Sequence, residues 1–375
     1  MPQRAVGAQA TVGLLVTLLF GAVACVRGAA PTYELNDSHF HLTNYVQEGT
    51  DIHQFLQIMG NRVGRVALFG IPLQQTWSYA NSGDFAPTYY LQSDAPLYYY
   101  SFTDAYIAAA YLSLPPEQRA RFDPMITGFN PADMYAVDHI KRVLRTFPGV
   151  FSGIGEFSIH KEFVSAKVTG ETASLTNPAL DRILDFAGEA GLVVILHNDI
   201  DMPFAKQGAP PVYLQQMKDL LHRHPRTTII WAHMGLGRVV HPSQHQGTGD
   251  AGPPTRDPRQ VEIVESILAD PAFRHVYFDI SWDEVAKYIV ATPQSIKVSA
   301  DLINRYPDRF LFGTDNVAPT DPKNYFAVFE MYAPLWSALT AEASDKVRKG
   351  NYARLFEDAR RKVRAWETSH TAGGR

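Results

Sequence analysis

The sequence predicts a (β/α)₈ TIM barrel, an α/β fold in which parallel strands alternate with helices around a closed core. Short apolar runs alternate with amphipathic stretches along the chain, and this pattern is typical of parallel strands joined by crossover helices. Eight such runs occur, each nearly all apolar and bounded by Gly or Pro, as expected for strands buried on both faces. An open doubly wound sheet is the alternative, but no Gly-x-Gly-x-x-Gly follows the first strand.

The composition is that of a protein with a large core. The chain has 375 residues, of which 46% are hydrophobic and 19% charged, which is enough for one large domain. The formal net charge is −4 at pH 7, and the sequence contains no basic stripe with interleaved aromatic residues. Nucleic-acid binding is therefore disfavoured.

The first thirty residues have the features of a targeting segment. Arg4 precedes an apolar run at residues 11–24, and small residues follow it, as in a cleaved secretory signal. The alternatives are an uncleaved anchor and a misassigned start codon. We therefore expect export to the periplasm or the medium, with the fold beginning near Pro31.

Cys25 is the only cysteine of the chain. A mature exported domain would therefore hold together through its core, without an intramolecular disulfide. Residues 22–25 loosely resemble a bacterial lipobox, although Ala22 stands where Leu is usual. Two outcomes stay open, which are a lipid anchor on Cys25 at the membrane surface and simple secretion after Ala24 or Ala30.

The elements follow from the alternation of apolar and amphipathic segments. Strands are expected at residues 34–40, 63–69, 123–129, 150–157, 192–197, 227–233, 275–280 and 310–314. Helices are expected at residues 51–61, 105–112, 132–146, 177–190, 211–222, 261–269, 295–306 and 322–337. The sequence thus predicts a barrel domain over residues 31–362 and a flexible tail over residues 363–375.

Two insertions interrupt the regular spacing of these elements. Residues 72–104 are rich in aromatic side chains, Trp77 among them, and they are expected either to form a flap over the barrel mouth or to pack on its rim. Residues 240–259 are rich in Gly, Pro and Gln, which predicts a mobile loop.

Polar residues stand where the predicted strands end. His39 and His41 are two positions apart on the first strand, so their side chains project to the same side. Because the carboxyl ends of barrel strands face one shared pocket, polar residues at the other strand ends should meet this pair. These residues are Glu156, His197, His233 and Asp315.

The series Asp-x-His-x-His, Gly-x-Gly-Glu, His, His and Gly-Thr-Asp resembles the amidohydrolase superfamily. It is most similar to the amidohydrolase-related branch, which also contains metal-dependent decarboxylases similar to aminocarboxymuconate-semialdehyde decarboxylase. Residues 350–356 resemble the Gly-Asn-x-x-Arg-Leu-Phe helix that ends many members. The resemblance covers residues 34–360.

The resemblance implies that a divalent metal is bound by His39, His41, His197 and Asp315. It places His233 either on a second metal or in a hydrogen bond to the reacting group. Imidazole and carboxylate ligands suit Zn²⁺, while Mn²⁺, Fe²⁺, Co²⁺ and Ni²⁺ stay open. Glu156 has two interpretations, as a bridge between two ions like the Glu of TatD-type enzymes or as a group that orients a ligand histidine.

A metal at this site would supply hydroxide for the reaction, because a bound metal lowers the pKa of its coordinated water toward neutrality. Asp315 is the candidate that takes the proton and returns it to the leaving group. Substrate contacts are expected from Arg238 and His160, in loops on the active-site side, and from Trp77.

Three functions compete for this site. Hydrolysis of a C–N or C–O bond in a small amide, lactone or ester is the first. Non-oxidative decarboxylation, which needs a cation to hold the departing carboxylate, is the second. A catalytically inactive binding lipoprotein is the third, and the intact set of candidate ligands disfavours it.

Overall fold

The computed structural model describes residues 33–44, 48–71, 102–161, 171–201, 210–237 and 260–371, together with Met1 and four two-residue strands. Those strands are Thr76–Trp77, Leu91–Gln92, Val164–Ser165 and Lys167–Val168. The described residues from Tyr33 onward belong to one compact unit. The predicted signal segment with Cys25, most of the 72–104 insertion and the 240–259 loop lie outside the described residues.

One curled sheet of nine parallel strands organises the unit. Each of the eight predicted runs overlaps one of its first eight strands, and β1, β3 and β4 each extend one residue beyond the predicted bounds. The strands are β1 Leu35–His41, β2 Val63–Phe69, β3 Phe122–Ile126, β4 Gly153–Ser158, β5 Val193–His197, β6 Ile229–Trp231, β7 Val276–Asp279, β8 Phe310–Leu311 and β9 Asn316–Val317. Their order in the sheet is β8-β7-β6-β5-β4-β3-β2-β1-β9.

The two ends of the sheet meet at β1. This strand pairs with β2 on one side and with β9 on the other. The backbone N–H of Ser38 donates to Phe312 O at 3.0 Å, and the N–H of Asp315 donates to His39 O at 2.8 Å. The segment that follows β8 therefore closes the sheet against β1, and the carboxyl ends of the strands face one mouth.

Helices follow the strands along the chain. They are α1 Ile52–Met59, α2 Phe102–Ser113, α3 Pro116–Arg119, α4 Ala136–Thr146, α5 Pro178–Ala190, α6 Leu214–Arg223, α7 Gln260–Leu268, α8 Asp283–Ile289, α9 Pro293–Arg305, α10 Pro322–Met331, α11 Ala333–Ala338, α12 Ala341–Asp345 and α13 Asn351–Thr371. Tight helical turns lie at Ala232–Gly235, Pro271–Phe273 and Pro307–Arg309, and a π turn at Lys346–Gly350 joins α12 to α13.

Local sequence explains several helix ends. The Asp51 side chain accepts the N–H groups of His53 and Gln54 at the start of α1, and Thr292 forms a capping box with Ser295 at the start of α9. Such caps satisfy backbone donors that have no partner inside the helix. Within the described residues, no helix combines the length and the apolar character needed to cross a membrane.

Two hydrophobic cores stabilise the fold. The larger core lies between the sheet and the surrounding helices. The smaller core fills the interior of the curled sheet with strand side chains such as Phe69, Met125 and Ile195, and α13 adds side chains from the outside. These are Tyr352, Leu355, Phe356 and Ala359.

Helix α13 closes the end of the sheet where the strands begin. Asn351 Nδ2 donates to Phe310 O at 2.8 Å, and Tyr352 Oη donates to Asp123 Oδ2 at 2.7 Å. Both partners lie at the start of their strands, β8 and β3. The Gly-Asn-x-x-Arg-Leu-Phe stretch is thus a plug at the end opposite the mouth.

The expectation of a flexible tail from residue 363 was wrong for most of that stretch. Helix α13 continues to Thr371, and Val363 and Trp366 are buried. The Trp366 ring packs edge-on against Phe186 of α5, with 5.3 Å between the ring centroids. Residues 356, 359, 363 and 366 recur at helical spacing, so one apolar face extends beyond the predicted boundary.

Candidate metal centre

Six predicted residues converge at the mouth of the curled sheet. His39 and His41 lie on β1, Glu156 on β4 and His197 at the end of β5. His233 follows β6, and Asp315 stands between β8 and β9. The four histidines and Glu156 are buried, and the Asp315 side chain is about one tenth exposed.

A first group of possible ligands combines both residues of the His-x-His pair with two carboxylates. In this group of His39, His41, Glu156 and Asp315, the ligand atoms lie within 4.8 Å of one another. Asp315 Oδ1 is 3.3 Å from His39 Nε2 and 3.2 Å from His41 Nε2. Glu156 Oε2 is 3.6 and 3.4 Å from the same two atoms.

These separations match those between neighbouring ligands of one metal ion. Nitrogen and oxygen ligands lie about 2.0–2.2 Å from a tetrahedral zinc ion, so adjacent ligand atoms are roughly 3.3–3.6 Å apart. The nitrogen–oxygen distances in the first group run from 3.2 to 3.6 Å. The group therefore has the spacing of a coordination shell.

A second group combines Glu156, His197 and His233. Glu156 Oε1 lies 2.6 Å from His197 Nδ1 and 3.5 Å from His233 Nε2. The sequence analysis had placed His197 with His39 and His41, but the structure places it in this second group. Glu156 thus offers one carboxylate oxygen to each group.

Buried nitrogen atoms without hydrogen-bond partners support a metal at this place. Among the described residues these include Nε2 of His39, Nε2 of His233 and Nδ1 of His41. The two Nε2 atoms face the Glu156 carboxylate. Because a buried polar atom normally has a partner, an imidazole lone pair aimed at carboxylates is suited to a divalent cation. His39, His41 and His233, with the Glu156 and Asp315 carboxylates, therefore fit the metal that the sequence implied. Both ring nitrogens of His197 are instead hydrogen-bonded, Nδ1 to Glu156 Oε1 at 2.6 Å and Nε2 to Asp199 Oδ1 at 3.0 Å.

The electrostatics of the cluster are those of a network of opposite charges. Burial by itself lowers the pKa of His39, but Asp279, Glu156 and Asp315 outweigh it and raise that pKa well above its usual value. Burial raises the pKa of Glu156, yet the charges of Lys161, His39 and His197 hold it well below its usual range. Without a metal, an imidazolium therefore balances the carboxylates.

Burial and neighbouring charges also shift the pKa values of Asp315 and His233. Burial raises the pKa of Asp315, but His39, His41 and His233 lower it below its usual value. Burial lowers the pKa of His233. At neutral pH the Asp315 carboxylate is therefore ionised and the His233 ring is neutral.

Asp279 is a residue of the site that the sequence reasoning missed. It ends β7, its Oδ2 lies 3.0 Å from His39 Nδ1, and its Oδ1 accepts the His233 N–H at 2.8 Å. Asp279 also forms a group of possible ligands with His39 and His233. The sequence did contain a signal for Asp279, which is a polar residue near the end of the seventh predicted strand. The rule that polar residues at strand ends face one pocket had selected Asp315 and applies equally to Asp279.

Asp37, the acidic residue of the Asp-x-His-x-His motif, braces the site. Its carboxylate accepts the N–H of His39 at 3.0 Å, the N–H and hydroxyl of Thr314 at 2.9 and 2.7 Å, and the Tyr325 hydroxyl at 2.8 Å. Burial raises the pKa of Asp37, and these hydrogen bonds partly offset the rise. Asp37 therefore ties β1 to the segment that carries Asp315.

Backbone conformation also aims two of the candidate ligands. His233 and Asp315 have φ values of 55° and 52°, in the left-handed region that non-glycine residues rarely adopt. Such conformations persist where surrounding contacts impose them, and they are concentrated at functional sites. Gly313 allows the close approach beside Asp315, because a Cβ there would lie 2.6 Å from His39 Cβ.

Of the residues expected to contact substrate, His160 is the one whose side chain the structure describes. Its ring stacks on Tyr213 with 3.7 Å between centroids, and burial lowers its pKa to about 4. Arg238 lies outside the described residues, and for Trp77 the structure describes the backbone strand alone. The neighbouring Lys161, which the sequence analysis did not select, places a positive charge close enough to lower the pKa of Glu156.

Several solved structures are similar to this chain. That of 2,6-dihydroxybenzoate decarboxylase in complex with 2,6-dihydroxybenzoate aligns with 14% identity and a TM-score of 0.50, over 87% of this chain and 100% of that one. Dihydroorotase from Campylobacter jejuni aligns with 11% identity and a TM-score of 0.48, over 86% and 83%. A dihydroxybenzoic acid decarboxylase from Polaromonas sp. JS666 with bound manganese aligns with 14% identity and a TM-score of 0.48, over 87% and 97%.

The family comparison covers most of the described site. No curated protein sequence matches the chain significantly. The amidohydrolase family model matches residues 37–357, a range that includes all six predicted ligands and Asp279. The chain therefore belongs to the amidohydrolase family.

Proposed function

We propose that this protein is a metal-dependent hydrolase that cleaves a C–N or C–O bond in a small amide, lactone or ester. The observation that carries the proposal is the position of Glu156, whose two oxygens face different groups of candidate ligands. A carboxylate shared in this way suits two ions held side by side, the arrangement that clamps an attacking and a leaving oxygen.

His39, His41, Asp315 and Glu156 would hold one ion, and Glu156, His197 and His233 would hold the other. Imidazole and carboxylate ligands favour Zn²⁺, and Mn²⁺ is compatible with the same donors. When bound, such an ion polarises a carbonyl oxygen and lowers the pKa of a coordinated water. Buried surroundings of low dielectric constant strengthen these effects.

Asp315 would then move the proton. Its carboxylate is ionised at neutral pH, because the neighbouring histidines lower its pKa. An ionised carboxylate at the mouth can accept the proton of the attacking water and return it to the leaving nitrogen or oxygen. His233 would bind the second ion through Nε2, which has no hydrogen-bond partner among the described residues.

Substrate recognition is proposed for residues of the surrounding loops. His160 stacks on Tyr213, and its main-chain O accepts the N–H of Asp199 at 2.8 Å, which ties its loop to the segment after His197. Arg238 and Trp77 stay proposals from sequence alone. Lys161 adds a positive charge beside Glu156 and His197.

Replacement of single ligands tests the proposal. His39→Ala, His41→Ala and His197→Ala should each lose metal and hydrolysis of ester, lactone and amide substrates together while circular dichroism stays that of the wild type. The reason is that the ligands lie at strand ends, whereas the packed interior provides stability. Full metal content and full turnover in any of these variants would contradict the proposed site.

Decarboxylation is the second candidate, and the charge of Lys161 favours it. A decarboxylase must hold the carboxylate that leaves, and this cation acts on two residues of the cluster, Glu156 and His197. Product analysis separates the two functions. Release of CO₂ from aromatic carboxylic acids, with no hydrolysis of amides or esters, would contradict the hydrolase proposal and support the decarboxylase.

A further inference from the structure

We infer that Asp279 and Ser281 form a positioning pair that keeps a proton on Nδ1 of both His39 and His233 and thereby presents both Nε2 atoms to the centre. The pair lies at the end of β7 and just beyond it. It contacts His39 on β1 and His233 in the turn that follows β6. The consequence for metal binding rests on the proposed function, while the position of the ring proton does not.

The direction of each hydrogen bond follows from the atoms involved. Ser281 Oγ makes a short hydrogen bond to Asp279 Oδ1. An ionised carboxylate only accepts, so the Ser281 hydroxyl donates its single proton to Asp279. The same Oδ1 accepts the backbone N–H groups of His233 and Ser281, which identifies it as an acceptor.

The hydroxyl proton of Ser281 is therefore not available to His233. Ser281 Oγ lies 2.8 Å from His233 Nδ1, so the oxygen accepts and the nitrogen must carry the hydrogen. The other oxygen neighbours of this nitrogen are also acceptors, namely Ser281 O at 3.4 Å and Asp279 Oδ1 at 3.8 Å. A neutral His233 with its proton on Nδ1 leaves a lone pair on Nε2.

His39 obeys the same rule through direct contact. Its Nδ1 lies 3.0 Å from Asp279 Oδ2 and 3.3 Å from Ser281 Oγ. A carboxylate oxygen at this distance accepts the Nδ1 proton, so a neutral His39 also has its lone pair on Nε2. One carboxylate therefore orients a ligand from each of two groups, directly for His39 and through Ser281 for His233.

Asp279 also holds the backbone that aims His233. Its Oδ1 accepts the N–H of His233 at 2.8 Å and that of Ser281 at 3.2 Å. The left-handed conformation of His233 is thus tied to the same carboxylate that sets its ring proton. Ring orientation and protonation are fixed together, which is how outer partners tune a ligand histidine.

The ring proton can be observed without any metal. In metal-stripped, ¹⁵N-histidine-labelled protein at neutral pH, long-range ¹H–¹⁵N correlation spectra distinguish a protonated Nδ1 from a protonated Nε2. The wild type should show His233 as the neutral ring protonated at Nδ1. A His233 ring protonated at Nε2 in the wild type would overturn the inference, and this result needs no variant to fold.

Metal binding measures what the pair contributes. In competition with a chelator, Ser281→Ala should bind Zn²⁺ about 10- to 100-fold more weakly than the wild type, the usual scale for partners of ligand histidines. Asp279→Asn should lose at least as much, because the amide presents one acceptor atom where the carboxylate presents two. Zn²⁺ affinity within twofold of the wild type for both variants would overturn the positioning role.

Ser38→Ala is the matched control. Ser38 is a buried serine beside His39, and its hydroxyl donates to Phe312 O at 2.9 Å. The Ser38→Ala substitution removes a hydroxyl close to the cluster, as Ser281→Ala does, but it removes no contact to a histidine ring. The Zn²⁺ affinity of this variant should therefore stay near that of the wild type. An equal loss of affinity in this control would assign the effect to packing and overturn the inference.

Failure of the proposed function gives a different result. A wild-type protein that binds no divalent ion would contradict the metal-dependent hydrolase. In that case the spectrum of the metal-free wild type still decides where the His233 proton resides.

Discussion

Asp315 contacts both histidines of β1, and we propose that the same carboxylate transfers a proton. Asp315→Asn keeps the shape and a hydrogen-bonding amide but removes the base. We expect a loss in turnover of at least about 10²- to 10⁴-fold, the typical contribution of a general acid–base group. The melting temperature of the variant shows whether the fold survives, and turnover above a tenth of the wild-type rate would contradict the shuttle.

The buried ring of His160 makes stability depend on pH. Burial lowers its pKa in the folded protein to about 4 from an ordinary value of 6.5, so the unfolded chain binds the proton more readily. The free energy of unfolding should therefore decrease as pH falls from 6.5 to about 4. Below that window, both states bind the proton and this contribution no longer changes.

His160→Phe isolates this effect, because a phenyl ring keeps the stack on Tyr213 and does not titrate. Denaturant unfolding at several pH values gives the free energy of unfolding of both proteins. As pH falls through the same window, this free energy should decrease less for the variant than for the wild type. A difference between the two proteins that stays constant with pH would show that His160 is not the group responsible.

At the scale of elements, the structure separates the end that carries the candidate ligands from a plugged end. The candidate ligands lie where the strands end, and α13 packs where they begin, with Arg65 donating to Asp123 beside Tyr352. The two ends belong to the same sheet but share no residue. Substitutions in the plug should therefore change stability and leave the metal cluster intact.

Phe356→Ala tests this separation. Phe356 is fully buried in the inner core and stacks on Tyr352, so its truncation should lower the free energy of unfolding by about 3–5 kcal/mol. Metal content per folded chain should equal that of the wild type. Unfolding in denaturant and elemental analysis give the two values, and loss of metal from folded variant would contradict the separation.

Most of the strands were predictable because they are apolar runs buried on both faces, and such runs stand out from the amphipathic helices. Strand β1, with the sequence LNDSHFH, is the exception. The ends of the strands and helices were harder to predict. Strand β6 stops at Trp231 because His233 takes a left-handed conformation, and the predicted helix over residues 322–337 divides into α10 and α11 near Pro334. No periodicity announces a change of backbone at a single residue.

For the site, the sequence identified the candidate ligands but not how they group in space. The rule that strand ends face one pocket selected Glu156 and His197, whereas the 2.6 Å contact between them depends on side-chain rotamers. The sequence analysis did not select Ser281, because its partner His39 is 242 residues away along the chain. Hydrogen-bond partners at such separations leave no mark in local spacing.

At the scale of the whole molecule, we propose that the chain is exported. The basis is the sequence alone, with Arg4 before an apolar run and small residues after it. Mass spectrometry of protein from the native host should find an N-terminus after Ala24 or Ala30, or a diacylglyceryl mass on Cys25. A mature protein that retains Met1 would contradict export.

The central claim is that Glu156 joins two groups of ligands into one metal centre. The most direct measurement is the number of divalent ions per chain, obtained by elemental analysis after reconstitution, for the wild type and for Glu156→Gln. We predict close to two ions for the wild type. Glu156→Gln, in which an amide nitrogen replaces one bridging oxygen, should fall toward one ion with collapse of activity. One ion in the wild type and no change on substitution would contradict the shared carboxylate, and no ion at all would contradict the metal centre.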